Sequence, residues 1–137
     1  MERKTSARVP RIALIGTFSD VFLEGITELG YDFKLCSDEL GVKKRAYDIL
    51  VIAPDRSEAA LDSVKKFESV PVMSVDAVGF EQFDPIIEEG NAFMYTKSTS
   101  WHMLEALIKA VETYKFEYDW KTVKAELKEI LDQFVTA

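Results

Sequence analysis

Short apolar runs separated by amphipathic segments dominate the pattern of hydrophobic and polar positions along the chain. The apolar runs occur at residues 11–16, 32–36, 48–54, 70–76 and 92–96. The first, third and fourth runs are apolar nearly throughout rather than alternating, which is typical of strands that are covered on both faces of a parallel sheet. We therefore predict an open sheet of five strands.

The segments between these runs have the periodicity of helices. Helices are predicted in residues 19–30, 56–69, 79–90 and 100–115, with only a reduced helix in 38–46. Ser19 or Asp20, Ser57 and Ser100 are the predicted N-caps, because hydroxyl and carboxylate oxygens accept hydrogen bonds from the free N–H groups of a first turn. The third segment is the least regular of these, because Pro85 within it permits only a first turn or a break.

Strands that alternate with helices at this pitch predict βαβ units with right-handed crossovers, and hence an α/β fold in the form of a three-layer α/β/α sandwich. In such a sheet the functional crevice lies beyond the carboxyl ends of the strands. The candidate site therefore lies at Gly16 and Thr17, at residues 53–55, at residues 76–77 and at residues 96–98.

The chain continues past the last sheet helix with a further amphipathic helix that begins near Asp119. Its apolar positions recur every three or four residues, at Trp120, Val123, Leu127, Ile130, Leu131 and Phe134. The same stripe can pack on the domain itself or form a contact with a partner, including a second copy of the chain. We divide the chain into a mobile arm of residues 1–10, a domain of residues 11–115 and an additional helix within residues 116–137.

Composition and charge narrow the class of protein. The 137 residues are 47% hydrophobic and 30% charged, which is ordinary for one globular domain. The formal net charge of −7 argues against nucleic acid or an anionic membrane as a partner. The single cysteine, Cys36, excludes an intrachain disulfide and a cysteine-based zinc site, and no signal-peptide core is present, so we expect a cytoplasmic protein.

Three stretches resemble the receiver domains of response regulators. "GNAFMYTKSTSWHML" is similar to the last strand and following helix of that family, with Gly90, Tyr95 and Lys97 as the matching residues. "PVMSVDA" resembles the preceding strand and "YDILVIAPD" the central one. The resemblance implies the strand order 2-1-3-4-5 of the flavodoxin-like fold and a role in signal transduction within a two-component system.

The receiver reaction transfers a phosphoryl group to an aspartate, and it needs that carboxylate, an acidic pair that holds Mg²⁺ and a cation on the phosphoryl oxygens. The matching positions hold Ala53 for the acceptor, Gly16 and Thr17 for the acidic pair, Asp76 for the hydroxyl and Lys97 for the cation. Only the lysine agrees with the family. We therefore expect a pseudo-receiver that is not an enzyme and binds no metal or other cofactor.

The charged residues that remain at this edge, Lys97, Asp76 and Asp55, leave open questions about the pocket. Lys97 either forms an ion pair with Asp76 that fills the pocket, or is a solvated lysine at a strand end. Asp55 lies two residues beyond the expected acceptor and could replace it in an active receiver.

Receivers bind partners through the face made by their fourth helix, fifth strand and fifth helix, as the family implies. The corresponding residues lie in 79–90 and 92–112, with Tyr95, Trp101 and Leu104 as the interaction face. The resemblance thus predicts a domain that mediates protein–protein interaction.

A second resemblance, of another class, is to the nucleotide-sugar-binding half of two-domain glycosyltransferases. It rests on "DILVIAPDRSEAALDSV", "VPVMSVDAVGF" and "EEGNAFMY", and it would make Glu58 the carboxylate that contacts the nucleotide. The acceptor-binding domain of those enzymes has no counterpart in this sequence. The chain has one histidine, His102, so no site that needs two histidines can be assembled.

Overall fold

The fold is described from a computed structural model for residues 9–36, 43–77 and 79–135, with side chains to residue 133. The predicted arm of residues 1–10 thus lies mostly outside the described residues; of its last two, Val9 is exposed and Pro10 is buried. The reduced helix predicted in 38–46 also lies partly outside them, and residues 43–46 are not helical.

Five strands form one sheet in which every pairing is parallel and the order is 2-1-3-4-5. The strands are β1 (Ile12–Ile15), β2 (Phe33–Cys36), β3 (Ile49–Ile52), β4 (Val70–Ser74) and β5 (Phe93–Tyr95). Every residue of β1, β3 and β4 is buried, as expected for strands covered on both faces. The predicted α/β class, strand number and order are confirmed.

Within the described ranges, four α-helices accompany the sheet: α1 (Asp20–Glu28), α2 (Ala60–Phe67), α3 (Ser100–Tyr114) and α4 (Glu117–Val135). A 3₁₀ helix at Pro54–Ala59 precedes α2. Ser19 caps α1 as predicted, since its hydroxyl accepts a hydrogen bond from the N–H of Phe22. Gly30 follows the C-cap of α1 with a φ of +76°, a conformation that favours glycine just after the end of a helix.

The other two predicted caps are wrong. Ser57 lies inside the 3₁₀ helix, because Pro54 starts a tight turn before α2 begins. Helix α3 is capped by Thr99, whose hydroxyl accepts the N–H of His102, so Ser100 is already helical. The Ser100 hydroxyl instead lies 2.6 Å from the Ser19 hydroxyl, in a hydrogen bond between the starts of α3 and α1.

The helix predicted between β4 and β5 is absent from the structure. Asp84 and Glu89 form an antiparallel bridge, with the Asp84 N–H donating to the Glu89 carbonyl at 2.8 Å. Gly90 has a φ of +112°, and a Cβ there would collide with the backbone of Gln82 and Phe83. The segment therefore folds back on itself as a loop, because Pro85 opposes a helix and Gly90 permits the close return.

Helix α4 packs on the domain through the first part of its apolar stripe. Trp120, Val123 and Leu127 are buried, and Ile130 and Leu131 are partly buried against the core; the side chain of Phe134 lies outside the described residues. The Trp120 ring stacks on Phe93 of β5 at 6.4 Å and meets Tyr114 of α3 edge-on at 5.2 Å. Among the described residues no helix is both long and apolar enough to cross a membrane.

Candidate functional site

Four loops meet at the carboxyl edge of the sheet, because all five strands run in the same direction. They follow β1, β3, β4 and β5, and they contain every residue predicted for the receiver pocket. The hydrogen bond between Ser19 and Ser100 joins the ends of the first and the last of these loops.

Gly16 and Ala53 form a tight contact at the centre of this edge. Gly16 has a φ of +109°, and a Cβ at this position would lie 2.6 Å from the Cβ of Ala53 and 2.8 Å from Oδ1 of Asp55. Ala53 is fully buried, and its N–H donates to the carbonyl of Ile15 at 3.0 Å. The backbone conformation and the neighbouring atoms therefore both favour glycine at position 16, where the receiver reaction needs an acid.

Asp55 joins the loop after β3 to the loop after β1. Its Oδ1 accepts a hydrogen bond from the N–H of Thr17 at 3.1 Å. This hydrogen bond lowers the pKa of the Asp55 carboxyl below its ordinary value, because it stabilises the charged form more than partial desolvation disfavours it. Asp55 is therefore a carboxylate at neutral pH, and one of its oxygens is already engaged.

The ion pair between Asp76 and Lys97 was one of two hypotheses for this lysine, and the structure does not form it. Both side chains are exposed, and within the described part of the chain no salt bridge links them. Water solvates each charge, and an exposed pair would contribute no more than about 1 kcal/mol against the entropy of holding two flexible side chains. Lys97 corresponds to the alternative hypothesis of a solvated lysine at a strand end.

Tyr95 lies inside the domain rather than on an interaction face. Its hydroxyl donates to the carbonyl of Ile52 at 2.7 Å, which connects β5 to the end of β3. Burial raises the pKa of the Tyr95 phenol, and the negative charges of Asp55 and Asp76 raise it further. The phenol therefore remains protonated and serves as a structural donor.

Leu104 is also buried, which leaves one residue of the predicted interaction face accessible. Its side chain packs so closely on Gly25 of α1 that a Cβ at that glycine would lie 2.6 Å from a Leu104 methyl group. Trp101, by contrast, is 73% exposed near the start of α3. The prediction that Tyr95, Trp101 and Leu104 share one exposed surface is therefore wrong for Tyr95 and Leu104.

The loop between β4 and β5 exposes two apolar side chains that the sequence did not single out. Ile86 is 90% exposed and Ile87 is 59% exposed, at the tip closed by the bridge between Asp84 and Glu89. The Ile86 N–H donates to Oδ1 of Asp84 at 2.9 Å, which shapes the turn. The signal for this loop was the Asp84–Pro85 pair, which favours a turn over the helix that we predicted.

Other chemistry has little support among the described residues. They contain no group of three or more histidine, cysteine, aspartate or glutamate side chains that could hold a metal ion. The Nδ1 of His102 lies 2.6 Å from the hydroxyl of its own helix cap, Thr99. Glu58, the residue predicted to contact a nucleotide sugar, is exposed on the 3₁₀ helix.

Comparisons of the chain with protein-family models, with curated proteins and with solved structures gave no match. The five-stranded parallel sheet with its helices is compatible with a flavodoxin-like fold. The residues at the edges of the sheet are therefore the part of the molecule that bears on a more specific function.

Proposed function

We propose that this chain is a receiver-like signalling domain that works without phosphorylation and acts by binding another protein. The observation that carries the proposal is the packing of Gly16 against Ala53 and Asp55. It leaves no space for an acidic side chain at position 16, while position 53 has a methyl group instead of a nucleophile. A phosphoryl acceptor and its Mg²⁺ carboxylates would all have to lie at this edge.

The remaining carboxylates are poorly arranged for the receiver reaction. Asp55 already accepts the N–H of Thr17, and Asp76 is exposed beyond the end of β4. Lys97 has a position that suits the family, but a lysine alone does not supply the nucleophile and the metal ligands that phosphoryl transfer to a receiver needs. This arrangement supports a structural role for the residues at the carboxyl edge of the sheet instead of phosphoryl transfer.

Exposed apolar side chains support the protein-binding half of the proposal. Ile86, Ile87 and Trp101 all expose more than half of their surface. Burial of one such aliphatic side chain is worth about 1.5–3 kcal/mol, and tryptophan is among the residues that contribute most to interfaces. The loop of residues 84–89, which we call the Ile86 loop, replaces the helix that receivers have before their last strand and would present the contact.

The first experiment tests independence from phosphorylation. Intact mass and melting temperature are measured with Mg²⁺ and acetyl phosphate, and with Mg²⁺ and beryllium fluoride, for the wild type and for Asp55→Asn. We expect no adduct and no change in melting temperature in either protein. An adduct or a stabilisation that disappears in Asp55→Asn would show that Asp55 is an acceptor and would overturn the proposal, since a ligand of the native state raises its stability.

The second experiment tests protein binding in cells of the source organism. A photo-crosslinking amino acid replaces Ile86 in one variant and exposed Lys34 of β2 in the control. We expect a discrete crosslinked protein species with the probe at position 86 and none with the probe at position 34. Equal crosslinking at both positions, or none at position 86, would contradict an interaction through the Ile86 loop.

A further inference from the structure

A concave surface lies at the amino edge of the sheet, opposite the carboxyl edge that holds Gly16 and Asp55. It lies between the starts of β1, β3 and β4 and the helix α4. Its volume is about 810 Å³. Six cationic side chains line it, namely Arg11, Lys44, Arg45, Lys65, Lys124 and Lys128. We call it the basic cleft. No prediction from the sequence included it, because its residues come from four separate parts of the chain.

The charge of the basic cleft is opposite to that of the whole protein. Three acidic side chains, Asp48, Glu68 and Asp132, face six cationic ones, whereas the chain as a whole has a net charge of −7. A local excess of positive charge in an acidic protein attracts small anions that can enter the cleft. It does not favour long polyanions, because their remaining length would meet the negative surface around it.

Two of the acids are already neutralised by cations of the cleft. The backbone N–H of Arg11 donates to Oδ2 of Asp48 at 2.8 Å, and its guanidinium lies 3.3 Å from the same carboxylate. Glu68 is bridged by Lys44 at 3.1 Å and by Arg45 at 3.3 Å. Burial opposes ionisation of Glu68, but the hydrogen bonds and charges of Lys44 and Arg45 outweigh it and lower its pKa.

Helix α4 contributes two cations whose charges these acids do not neutralise. Lys124 and Lys128 lie four residues apart, and therefore on the same side of the helix, and both are exposed. In the described ranges no carboxylate lies within salt-bridge distance of either lysine. Their ammonium groups are therefore available to an anionic ligand.

The rest of the lining is apolar and aromatic. This wall is formed by Tyr47, Trp120, Leu127 and Leu131. The Ser69 hydroxyl, which also lines the cleft, donates a hydrogen bond to the Tyr47 carbonyl at 2.6 Å. The volume is within the range of roughly 300–1,000 Å³ that is usual for small-molecule sites, which combine an apolar wall with a few polar groups. Cations beside an aromatic and aliphatic wall suit a ligand that joins phosphate groups to a planar or apolar body.

We infer that the basic cleft binds a small phosphorylated organic anion of the nucleoside diphosphate class. Its phosphates would lie near Lys124 and Lys128, and its ring against the wall formed by Tyr47 and Leu131. Such a ligand would contact α4 and the starts of the strands together, so it would stabilise the docking of the C-terminal helix. Neither Asp55 nor any residue of the Ile86 loop lines the basic cleft, so its failure would leave the proposed function untouched.

The test is calorimetric titration of the full chain with ADP and, separately, with pyrophosphate. Lys124→Gln/Lys128→Gln removes two cations of the basic cleft, and Lys97→Gln/Lys121→Gln removes two exposed lysines outside it, one at the carboxyl edge and one on α4. Melting curves establish that both variants are folded. We expect saturable ADP binding that is at least tenfold weaker in the cleft variant and within twofold of wild type in the control.

Three further measurements test the proposal: the comparison with pyrophosphate, the dependence of affinity on salt, and NMR. ADP should bind at least tenfold more tightly than pyrophosphate, because only ADP can use the apolar wall, and its affinity should fall as salt is raised. In NMR spectra, ADP should shift the amide signals of Tyr47, Lys124 and Lys128 more than that of Lys97. Absence of ADP binding, equal weakening in the two double variants, or pyrophosphate binding as tight as that of ADP would overturn it.

Discussion

The Asp55 carboxylate accepts a hydrogen bond from the Thr17 N–H at 3.1 Å, and so joins the loops that follow two neighbouring strands. In a receiver these two loops would supply the nucleophile and the metal ligands. Here the contact is between a carboxylate and a backbone donor, which is a structural arrangement. Its energetic consequences can be measured by substitution at and around this contact.

Gly16→Ala should destabilise the protein more than Gly30→Ala does. Both glycines have positive φ, at +109° and +76°, but a Cβ at Gly16 collides with Ala53 and Asp55 while a Cβ at Gly30 meets nothing within 4 Å. We expect Gly30→Ala to cost about 1 kcal/mol from backbone strain alone, and Gly16→Ala about 2–4 kcal/mol. Urea denaturation measures both free energies of unfolding, and equal values would contradict the steric contact.

Asp55→Asn should lower stability at neutral pH by less than about 1 kcal/mol, because the carboxylate is exposed and water screens it. The pKa of Asp55 is lowered in the folded state, so its contribution is present above the ordinary aspartate pKa of about 3.9 and is lost as pH falls through the folded pKa. The stabilities of wild type and variant should therefore converge in acid. A difference that grows as pH falls would contradict this assignment.

Tyr95→Phe should cost about 1–2 kcal/mol at neutral pH, because it removes the donor of the Ile52 carbonyl while retaining the buried ring. The folded-state pKa of Tyr95 is raised, so wild type should lose stability as pH rises above about 10, where the unfolded phenol ionises. The variant should lose less over the same range. Urea denaturation at neutral and alkaline pH checks both, and parallel pH profiles would contradict the buried hydrogen bond.

Trp120→Ala should destabilise the domain by about 3–5 kcal/mol, because Trp120 is only 7% exposed and its ring packs on Phe93 and Tyr114. Tyr118→Ala is the matched control, since Tyr118 is an aromatic residue of the same helix that is 57% exposed. We expect it to cost less than about 1 kcal/mol. Similar losses in thermal or urea denaturation would mean that α4 does not rest on the sheet through Trp120.

Local periodicity was enough to predict the sheet and the four α-helices that the described residues form. A strand covered on both faces must be apolar throughout, so the runs at 11–16, 48–54 and 70–76 indicated a parallel sheet before any contact was known. Periodicity failed in residues 79–90. The Asp84–Pro85 pair favours a turn there, and the return of the chain at Gly90 brings it against Gln82 and Phe83, a contact that only the folded structure provides.

The sequence by itself determined which groups are absent from the receiver positions, because no fold can give Gly16 or Ala53 a carboxylate. Tertiary structure decided where the groups that are present lie: Asp55 on the Thr17 N–H, Tyr95 on the Ile52 carbonyl, and Asp76 and Lys97 apart in solvent. It also assembled the basic cleft from Arg11, Lys44 and Lys124, which are far apart along the chain. A periodic pattern reports whether a face is buried, whereas the meeting of two loops depends on how distant elements pack.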